Sequence, residues 1–179
     1  MPPTISKFKP TIVYFIRHGK TPLGDNQVIS QNPPLSSEGI KQAKRVALEF
    51  KNSDEQIDKI YTSEMLRAIQ TAEIISKSIN KKSIKIKQLN EFSRSIFKRK
   101  VYTKKFQIHY KRYLLAKKGF DRILDENMSK TILLVVHGNI ICGLIGKKLK
   151  IPFPDIYKLS YNHCNITRAT FIGRKLKTL

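Results

Sequence analysis

The chain has 179 residues, 40% of them hydrophobic and 9% aromatic, so it is long enough to bury a core as a single domain over residues 1–179. Lysine and arginine outnumber aspartate and glutamate by 35 to 13, which gives a formal net charge of +22 at pH 7. Two cysteines exclude a disulfide-based scaffold, and the lack of a long apolar run argues against a membrane span. We therefore expect a reduced, cytoplasmic protein, since residues 1–10 also lack the apolar core of a secretion signal.

The charge fits both a solvated lysine-rich surface and attraction to phosphorylated molecules. Dedicated nucleic-acid binding ranks below both interpretations, because no basic helix motif or zinc-finger spacing is present.

The first predicted element is a buried strand over residues 12–16, and it ends in Arg17-His18-Gly19-Lys20-Thr21. Gly-Lys-Thr after a strand could close a nucleotide-binding P-loop, but the glycine required five residues before Gly19 is Tyr14. A cysteine-based phosphatase is excluded as well, because neither Cys142 nor Cys164 is followed six residues later by an arginine.

Strand and helix patterns then alternate along the chain. Ser36 is the expected N-cap of a helix whose apolar face carries Ile40, Ala43, Ala47 and Phe50, and Arg67 falls in the first turn of a later helix. The remaining predicted elements are a strand at 60–62, that helix at 64–79, a strand at 84–87, helices at 102–118 and 120–127 separated by Gly119 as a breaker, a strand at 131–136, a helix at 140–149, an edge strand at 165–172 and a frayed tail at 174–179. This alternation predicts a three-layer α/β/α sandwich with a mostly parallel sheet.

A second buried strand also ends in His-Gly, at His137-Gly138. Ligands of such sheets bind beyond the carboxyl ends of the strands. Histidines there, with Arg17 nearby and Arg67 at a helix N-terminus, indicate an anionic substrate and a group that can attack it or move protons.

Together these motifs resemble the histidine phosphatase superfamily, and within it branch 1, which includes the cofactor-dependent phosphoglycerate mutases. The matching residues, in the family's order, are Arg17-His18-Gly19, Pro34-Leu35-Ser36 with Gly39 and Gln42-Ala43, Arg67-Ala68 with Gln70-Thr71-Ala72, Leu89-Asn90-Glu91, and His137-Gly138. The chain departs from the family at Lys20, Gly24 and Ser95, where an acidic or amide residue, an asparagine and a glycine are common.

The resemblance implies a phosphoglycerate mutase-like fold and a role for each matching residue. His18 is similar to the nucleophile that becomes phosphohistidine, Arg17, Arg67 and His137 to the phosphate pocket, and Glu91 to the proton donor. It implies a small phosphorylated substrate, no cofactor and no metal. Neighbouring residues that we expect to contact substrate are Gly19, Thr21, Asn26, Ser36, Gly138 and Asn139.

Several of these residues have an ordinary alternative. Glu91 could be a solvated loop carboxylate, and Arg67 could pair with Glu64 along its helix. We expect His109 on the surface. His163 could border the pocket, but a loop position without a role is the favoured interpretation.

The segment over residues 92–128 corresponds to the family's variable lid, and it is short compared with phosphoglycerate mutases. Because a mutase must shield its phosphoenzyme from water, the short lid favours a hydrolase. We call its cations the basic lid, and they offer a possible contact for polyanions: Arg94, Lys98, Arg99, Lys100, Lys104, Lys105, Lys111, Arg112, Lys117 and Lys118.

We therefore expect a metal-independent phosphomonoesterase. The alternatives are a mutase-type phosphotransferase and a catalytically weak protein that binds nucleic acid or another polyanion through the basic lid.

Overall fold

The computed structural model describes residues 9–23, 32–98 and 103–179. Within these ranges the strands form one six-stranded sheet in the order β3-β2-β4-β1-β5-β6. The strands are β1 (Thr11–Arg17), β2 (Lys59–Thr62), β3 (Ser83–Lys85), β4 (Thr131–Val136), β5 (Ile166–Ile172) and β6 (Lys175–Thr178). The strands β1 to β4 are mutually parallel, whereas β5 runs antiparallel to both β1 and β6. The predicted α/β fold with a mostly parallel sheet is confirmed.

Helices connect the parallel strands. They are α1 (Ser37–Lys51), α2 (Leu66–Ser78), α3 (Ser95–Lys98), α4 (Lys104–Glu126) and α5 (Gly138–Lys148), with 3-10 turns at Lys87–Leu89 and Phe153–Lys158. As predicted, Ser36 caps α1: its hydroxyl oxygen accepts a hydrogen bond from the Gly39 backbone nitrogen at 3.1 Å.

Both faces of the sheet are buried, and β1 shows this. Its successive residues point to opposite sides, and the residues of each side belong to a different core. Val13 and Phe15 belong to a core that includes residues of α4 and α5. Tyr14 and Ile16 belong to a second core, formed with α1 and α2. The sheet is therefore the middle layer of three.

The predicted break at Gly119 is wrong, since α4 runs through it from Lys104 to Glu126. Glycine is required there for space: a Cβ atom on Gly119 would lie 2.9 Å from the Cβ of Gln88. The glycine lets α4 pack closely on the 3-10 turn that precedes Glu91, and it does not end the helix.

The tail prediction is also wrong. Residues 175–178 form β6, which pairs with β5, so β5 is not an edge strand. β6 is mostly exposed and lysine-rich, and for this reason its sequence resembles a solvated tail. Cys142 is buried in α5 and belongs to the core.

In the ranges that the structure describes, no helix is long and apolar enough to cross a membrane. The cytoplasmic location stays a prediction.

Candidate active site

The site lies where three neighbouring parallel strands end. β1 delivers Arg17 and His18, β4 delivers His137, and β2 leads through Ser63 into α2, which carries Arg67. Because β2, β4 and β1 are adjacent, these side chains meet at one edge of the sheet. We call the cluster of Arg17, His18, Arg67 and His137 the phosphate pocket; the resemblance implies phosphate binding for Arg17, Arg67 and His137 and the nucleophile role for His18.

The contacts of His18 define where its proton lies. Its Nδ1 is 2.8 Å from the Gly19 carbonyl oxygen, and the Nε atom of Arg67 donates to its Nε2 at 3.1 Å. An arginine can only donate, so Nε2 must accept, and the ring proton is on Nδ1. His18 thus turns a lone pair on Nε2 toward a guanidinium.

The pKa of His18 lies well below the ordinary value for histidine. Burial is the main cause, and the positive charges of Arg67 and then Arg17 add to it. His18 therefore stays neutral at and well below neutral pH, and neutrality is what a nucleophilic imidazole requires.

His137 is held by a chain of hydrogen bonds that sequence reasoning does not assign to the site. Its Nε2 is 2.8 Å from the Ser63 hydroxyl, which lies 2.9 Å from the Asn90 side-chain oxygen. That oxygen also accepts from the Glu64 backbone nitrogen at 2.9 Å, which identifies it as the acceptor. Ser63 therefore donates to Asn90, and His137 must donate to Ser63.

This chain fixes the neutral tautomer of His137 with its proton on Nε2. Its Nδ1 is buried and has no hydrogen-bond partner within the described part of the chain. Burial, His18, Arg67 and Arg17 all hold the pKa of His137 well below the usual value. The His137 ring lies 5.0 Å from that of His18, between ring centroids, so Nδ1 belongs to the same small cluster.

The two arginines are fixed from different sides. Arg67 is completely buried, and its Nη2 contacts the Met65 sulfur at 3.5 Å. Arg17 donates from Nη1 to the Tyr161 carbonyl oxygen at 2.7 Å. The alternative that Arg67 pairs with Glu64 in solvent is wrong, because the guanidinium is buried against His18.

Glu91 is a buried acid and not a solvated loop carboxylate. Only 6% of its surface is exposed, and its Oε1 accepts from the Phe92 backbone nitrogen at 3.1 Å. Burial raises its pKa to about 7, even though Arg67 and Arg17 act in the opposite direction. A large fraction of the carboxyl group is therefore protonated near neutral pH.

Close backbone contact anchors the end of β1 to α1. A Cβ on Gly19 would lie 2.5 Å from the Gly39 carbonyl oxygen, and one on Gly39 would lie 2.1 Å from that of Lys20. The Gly19 nitrogen also donates to the Thr71 hydroxyl at 3.1 Å. Both glycines of the sequence motifs are thus required where α1 approaches the residue after His18.

The other predicted substrate contacts occupy varied positions. Thr21 donates to the Leu23 carbonyl oxygen at 2.9 Å, and Ser36 donates to that of Lys20 at 3.0 Å. Gly138 begins α5, and Asn139 donates to the Phe92 carbonyl oxygen at 2.9 Å. Asn26 lies outside the described residues. A substrate contact for these residues stays a prediction.

Two histidines lie in places that the sequence does not predict. The His163 ring centroid is 5.4 Å from that of His18, so His163 borders the pocket. His109 is buried rather than on the surface, and its Nδ1 accepts from the Ser93 backbone nitrogen at 3.2 Å.

The basic lid is not uniform. The Arg94 guanidinium donates to the carbonyl oxygens of Tyr157 and Leu159, and the Lys98 ammonium lies 4.3 Å from the centre of the Tyr157 ring. These two cations hold α3 against the 3-10 turn at Phe153–Lys158. Arg99 and Lys100 lie outside the described residues. The cations of α4 are mostly exposed, among them Lys105, Lys111 and Lys118.

Among the described residues, no three histidine, cysteine, aspartate or glutamate side chains group as a metal site.

Comparison with known proteins agrees with this geometry. The family model of the histidine phosphatase superfamily, branch 1, matches residues 13–115. The mitochondrial serine/threonine-protein phosphatase Pgam5 of Drosophila virilis is 27% identical over 169 residues, covering 88% of this chain and 57% of the fly protein. The chain thus spans little more than half the length of this curated relative.

Solved structures share the fold. A phosphoglycerate mutase from Bacillus anthracis superposes with a TM-score of 0.75 at 20% identity, over 96% of this chain and 92% of that one. A phosphoserine phosphatase from Entamoeba histolytica, solved with 3-phosphoglyceric acid, gives a TM-score of 0.66 at 26% identity, over 89% and 90% of the two chains.

The proteins that this chain is similar to thus include phosphatases and a mutase. The family model covers more than half of the chain and includes His18, Arg67 and Glu91. The chain belongs to the histidine phosphatase superfamily, branch 1.

Proposed function

We propose that the protein is a phosphatase that hydrolyses phosphomonoesters through a phosphohistidine on His18. The observation that carries this proposal is the neutral, buried His18, whose Nε2 lone pair faces the Arg67 guanidinium. A phosphoryl group bound by Arg67 and Arg17 would lie next to the only lone pair of that ring.

In the first step the Nε2 lone pair attacks phosphorus, and the bond from phosphorus to the ester oxygen breaks. The leaving oxygen takes the proton of Glu91, whose pKa of about 7 keeps that proton available at neutral pH. Arg67 exchanges its hydrogen bond to Nε2 for one to a phosphoryl oxygen. The Gly19 carbonyl oxygen stabilises the positive charge that the ring gains.

In the second step water attacks phosphorus and gives its proton to the Glu91 carboxylate. The nitrogen–phosphorus bond breaks, its electron pair returns to Nε2, and phosphate leaves. Throughout, the arginines stabilise negative charge on the phosphoryl oxygens.

His137 is a further candidate contact for the phosphoryl group. With Nε2 donating to Ser63, its Nδ1 carries a lone pair and would repel a phosphate oxygen. Binding a phosphate dianion would favour protonation at Nδ1, which turns the ring into a donor on both sides. Ser63 and Asn90 hold the ring in the orientation that this requires.

Turnover of an aryl phosphate in the presence of a metal chelator tests the proposal. Phosphate release should be lost in His18→Ala and kept in His109→Asn, which places an amide oxygen near the buried acceptor position of that remote histidine. Acid-labile phosphate should appear on His18 in a quenched reaction. Labelling of another residue, or equal activity in His18→Ala, would reject the mechanism.

The same assay addresses the mutase alternative. The residues of the phosphate pocket would serve a phosphotransferase as well, with a second substrate molecule in place of water. Activity that appears only when a bisphosphorylated glycerate is supplied would favour the mutase over the phosphatase.

A further inference from the structure

A third histidine, His163, lies beside His18 and is not part of the phosphate pocket. β1, which ends directly before His18, lies between β4 and β5 in the sheet. His137 follows β4, and its ring centroid is 5.0 Å from that of His18. His163 precedes β5, and its ring centroid is 5.4 Å from that of His18. The two imidazoles therefore approach His18 from the two strands that flank β1.

Hydrogen bonds to Arg17 fix the chain on both sides of His163. Before it, the Tyr161 carbonyl oxygen accepts from Arg17 Nη1 at 2.7 Å. After it, the Cys164 nitrogen donates to the Arg17 carbonyl oxygen at 2.9 Å, and the Asn165 carbonyl oxygen accepts from the Arg17 nitrogen at 3.4 Å. Cys164 has a φ of +54°, in the left-handed region that a residue with a side chain seldom adopts unless its surroundings hold it there. The loop that carries His163 is thus attached to a residue of the phosphate pocket.

The cluster around His18 is rich in positive charge and in hydrogen-bond donors. Burial is the main cause of the low pKa of His18, and two arginines and His163 add their charges to it. Grouping such cations costs free energy unless an anion binds among them. His163 is half-buried, so part of its surface can contact a bound molecule. A bound anion at this cluster would therefore lie within reach of His163.

We propose that His163 binds the phosphoryl group of the substrate, donating a ring N–H to one of its oxygens from the β5 side of His18. The proposal rests on the phosphatase function above, and it adds a histidine that lies outside the sequence motifs of the phosphate pocket. A phosphoryl group offers three strong acceptor oxygens. The phosphate pocket supplies donors from β1, β4 and α2, and His163 supplies one from the loop before β5.

Three substitutions of His163 separate phosphate binding from packing against His18. His163→Phe keeps a flat ring and removes both ring nitrogens. His163→Asn and His163→Gln remove the ring and place an amide N–H near the positions of Nδ1 and Nε2, respectively. The control, Asn162→Ala, changes an exposed side chain next to His163 in the same loop. Calorimetry measures binding of tungstate, a tetrahedral dianion that is not hydrolysed, and thermal unfolding verifies that each variant folds.

His163→Phe should bind tungstate about tenfold more weakly than the parent protein, since one charge-assisted hydrogen bond is lost. At least one of the two amide variants should retain most of the affinity, and that variant identifies the ring nitrogen that faces the oxyanion. Asn162→Ala should bind tungstate as the parent does. A packing role predicts the opposite order, with affinity kept in His163→Phe and lost in both amide variants.

Turnover locates the contact on the substrate. Because the phosphoryl group is common to all phosphomonoesters, His163→Phe should lower kcat/KM by the same factor for an alkyl phosphate and for a nitrophenyl phosphate. A larger loss for the alkyl phosphate would assign His163 to the leaving oxygen and would overturn the proposal.

Unchanged tungstate affinity in His163→Phe would also overturn the proposal. So would equal losses in all three variants of His163, or a matching loss in Asn162→Ala, because either result would reduce the effect to the shape of the loop. Failure of the phosphatase function itself would be seen separately. The parent would then release no phosphate from either ester, while calorimetry would still rank the variants by their affinity for tungstate.

Discussion

The phosphate pocket and the basic lid both concentrate positive charge, but in opposite ways. Arg67 is fully buried and bonded to His18, whereas Lys105, Lys111 and Lys118 are exposed on α4. A buried, oriented charge interacts strongly with the group it faces, and an exposed one is screened by water and salt. We therefore expect the proposed chemistry to depend on the pocket, and the exposed lid cations to contribute at most to encounter with anions.

After the complete loss expected for His18→Ala, the largest effect is expected at Glu91. Glu91→Gln removes the proton donor, and kcat for an alkyl phosphate should fall by about 100- to 10,000-fold. The fall should be much smaller for a nitrophenyl phosphate, since that leaving group needs little protonation. Unequal losses for the two substrates would separate an acid role from a purely structural one.

The pH profile sharpens this prediction. The first step needs protonated Glu91 and neutral His18, so the rate of phosphoenzyme formation should decline as pH rises through about 7. The lowered pKa of His18 keeps that residue neutral on the acid side. Single-turnover measurements should show the decline near pH 7 in the parent protein, and an unaltered decline in Glu91→Gln would contradict the assignment.

Arg67→Ala should follow, with a loss of roughly 2–5 kcal/mol in transition-state binding, as for removal of one partner from a buried charged contact. Arg67→Lys should restore little of it, because lysine lacks the planar guanidinium fork that donates two parallel hydrogen bonds to a phosphoryl group. The measurement is kcat/KM for an aryl phosphate, supported by inhibition with vanadate. Vanadate inhibition as strong in Arg67→Ala as in the parent would place the phosphate elsewhere.

Glu91, which lies beside the phosphate pocket, should also lower the free energy of unfolding at neutral pH, whereas the exposed cations of the lid should not. The pKa of Glu91 is raised from 4.5 to about 7, so the folded state holds a proton that the unfolded chain releases. The free energy of unfolding therefore falls as pH rises between these values, by about 3 kcal/mol.

Glu91→Gln should escape this loss. The free energy of unfolding of the variant, relative to that of the parent, should increase between pH 4.5 and pH 8. The contributions of His18 and His137 cancel from this difference because both proteins contain these residues. Denaturant titrations at the two pH values measure the difference. The exposed Glu49→Gln is the matched control, and a parallel change there would show that the effect is not specific to burial.

The smallest effect is expected from the lid. Replacing Lys105, Lys111 and Lys118 with glutamine should lower kcat/KM for a doubly charged phosphate a few-fold at low salt and leave kcat nearly constant. The difference should shrink as the screening length falls to about 8 Å at physiological ionic strength. The comparison is the salt dependence of kcat/KM against a variant with Lys41, Lys44 and Lys77 replaced, and equal slopes would mean that the lid charge is a solvated face.

Sequence reasoning succeeds where local pattern and global position coincide. β1 and β4 are apolar runs buried on both faces, and the polar residues that end them are forced to the same edge of the sheet. The same rule, applied to β2, would have identified Ser63, which directly follows that strand.

Sequence reasoning fails where a contact with a residue distant in sequence determines the local structure. Gly119 reads as a breaker unless Gln88 is known to lie against it. His163 precedes β5, and only the antiparallel pairing of β5 with β1 brings it to His18: the Cys164 nitrogen donates to the Arg17 carbonyl oxygen at 2.9 Å. The periodicity of apolar residues does not indicate which strands pair with each other.

The hydrogen bond from Arg67 to His18 has a consequence for chemical selectivity. Arg67 donates its hydrogen bond to the Nε2 lone pair of His18, which is the lone pair that the proposed reaction uses. This hydrogen bond masks the lone pair as a protecting group does in synthesis. A stray electrophile that offers the arginine no acceptor must compete with this bond. A phosphate supplies oxygens that draw the guanidinium away, so the substrate itself deprotects the nucleophile that attacks it.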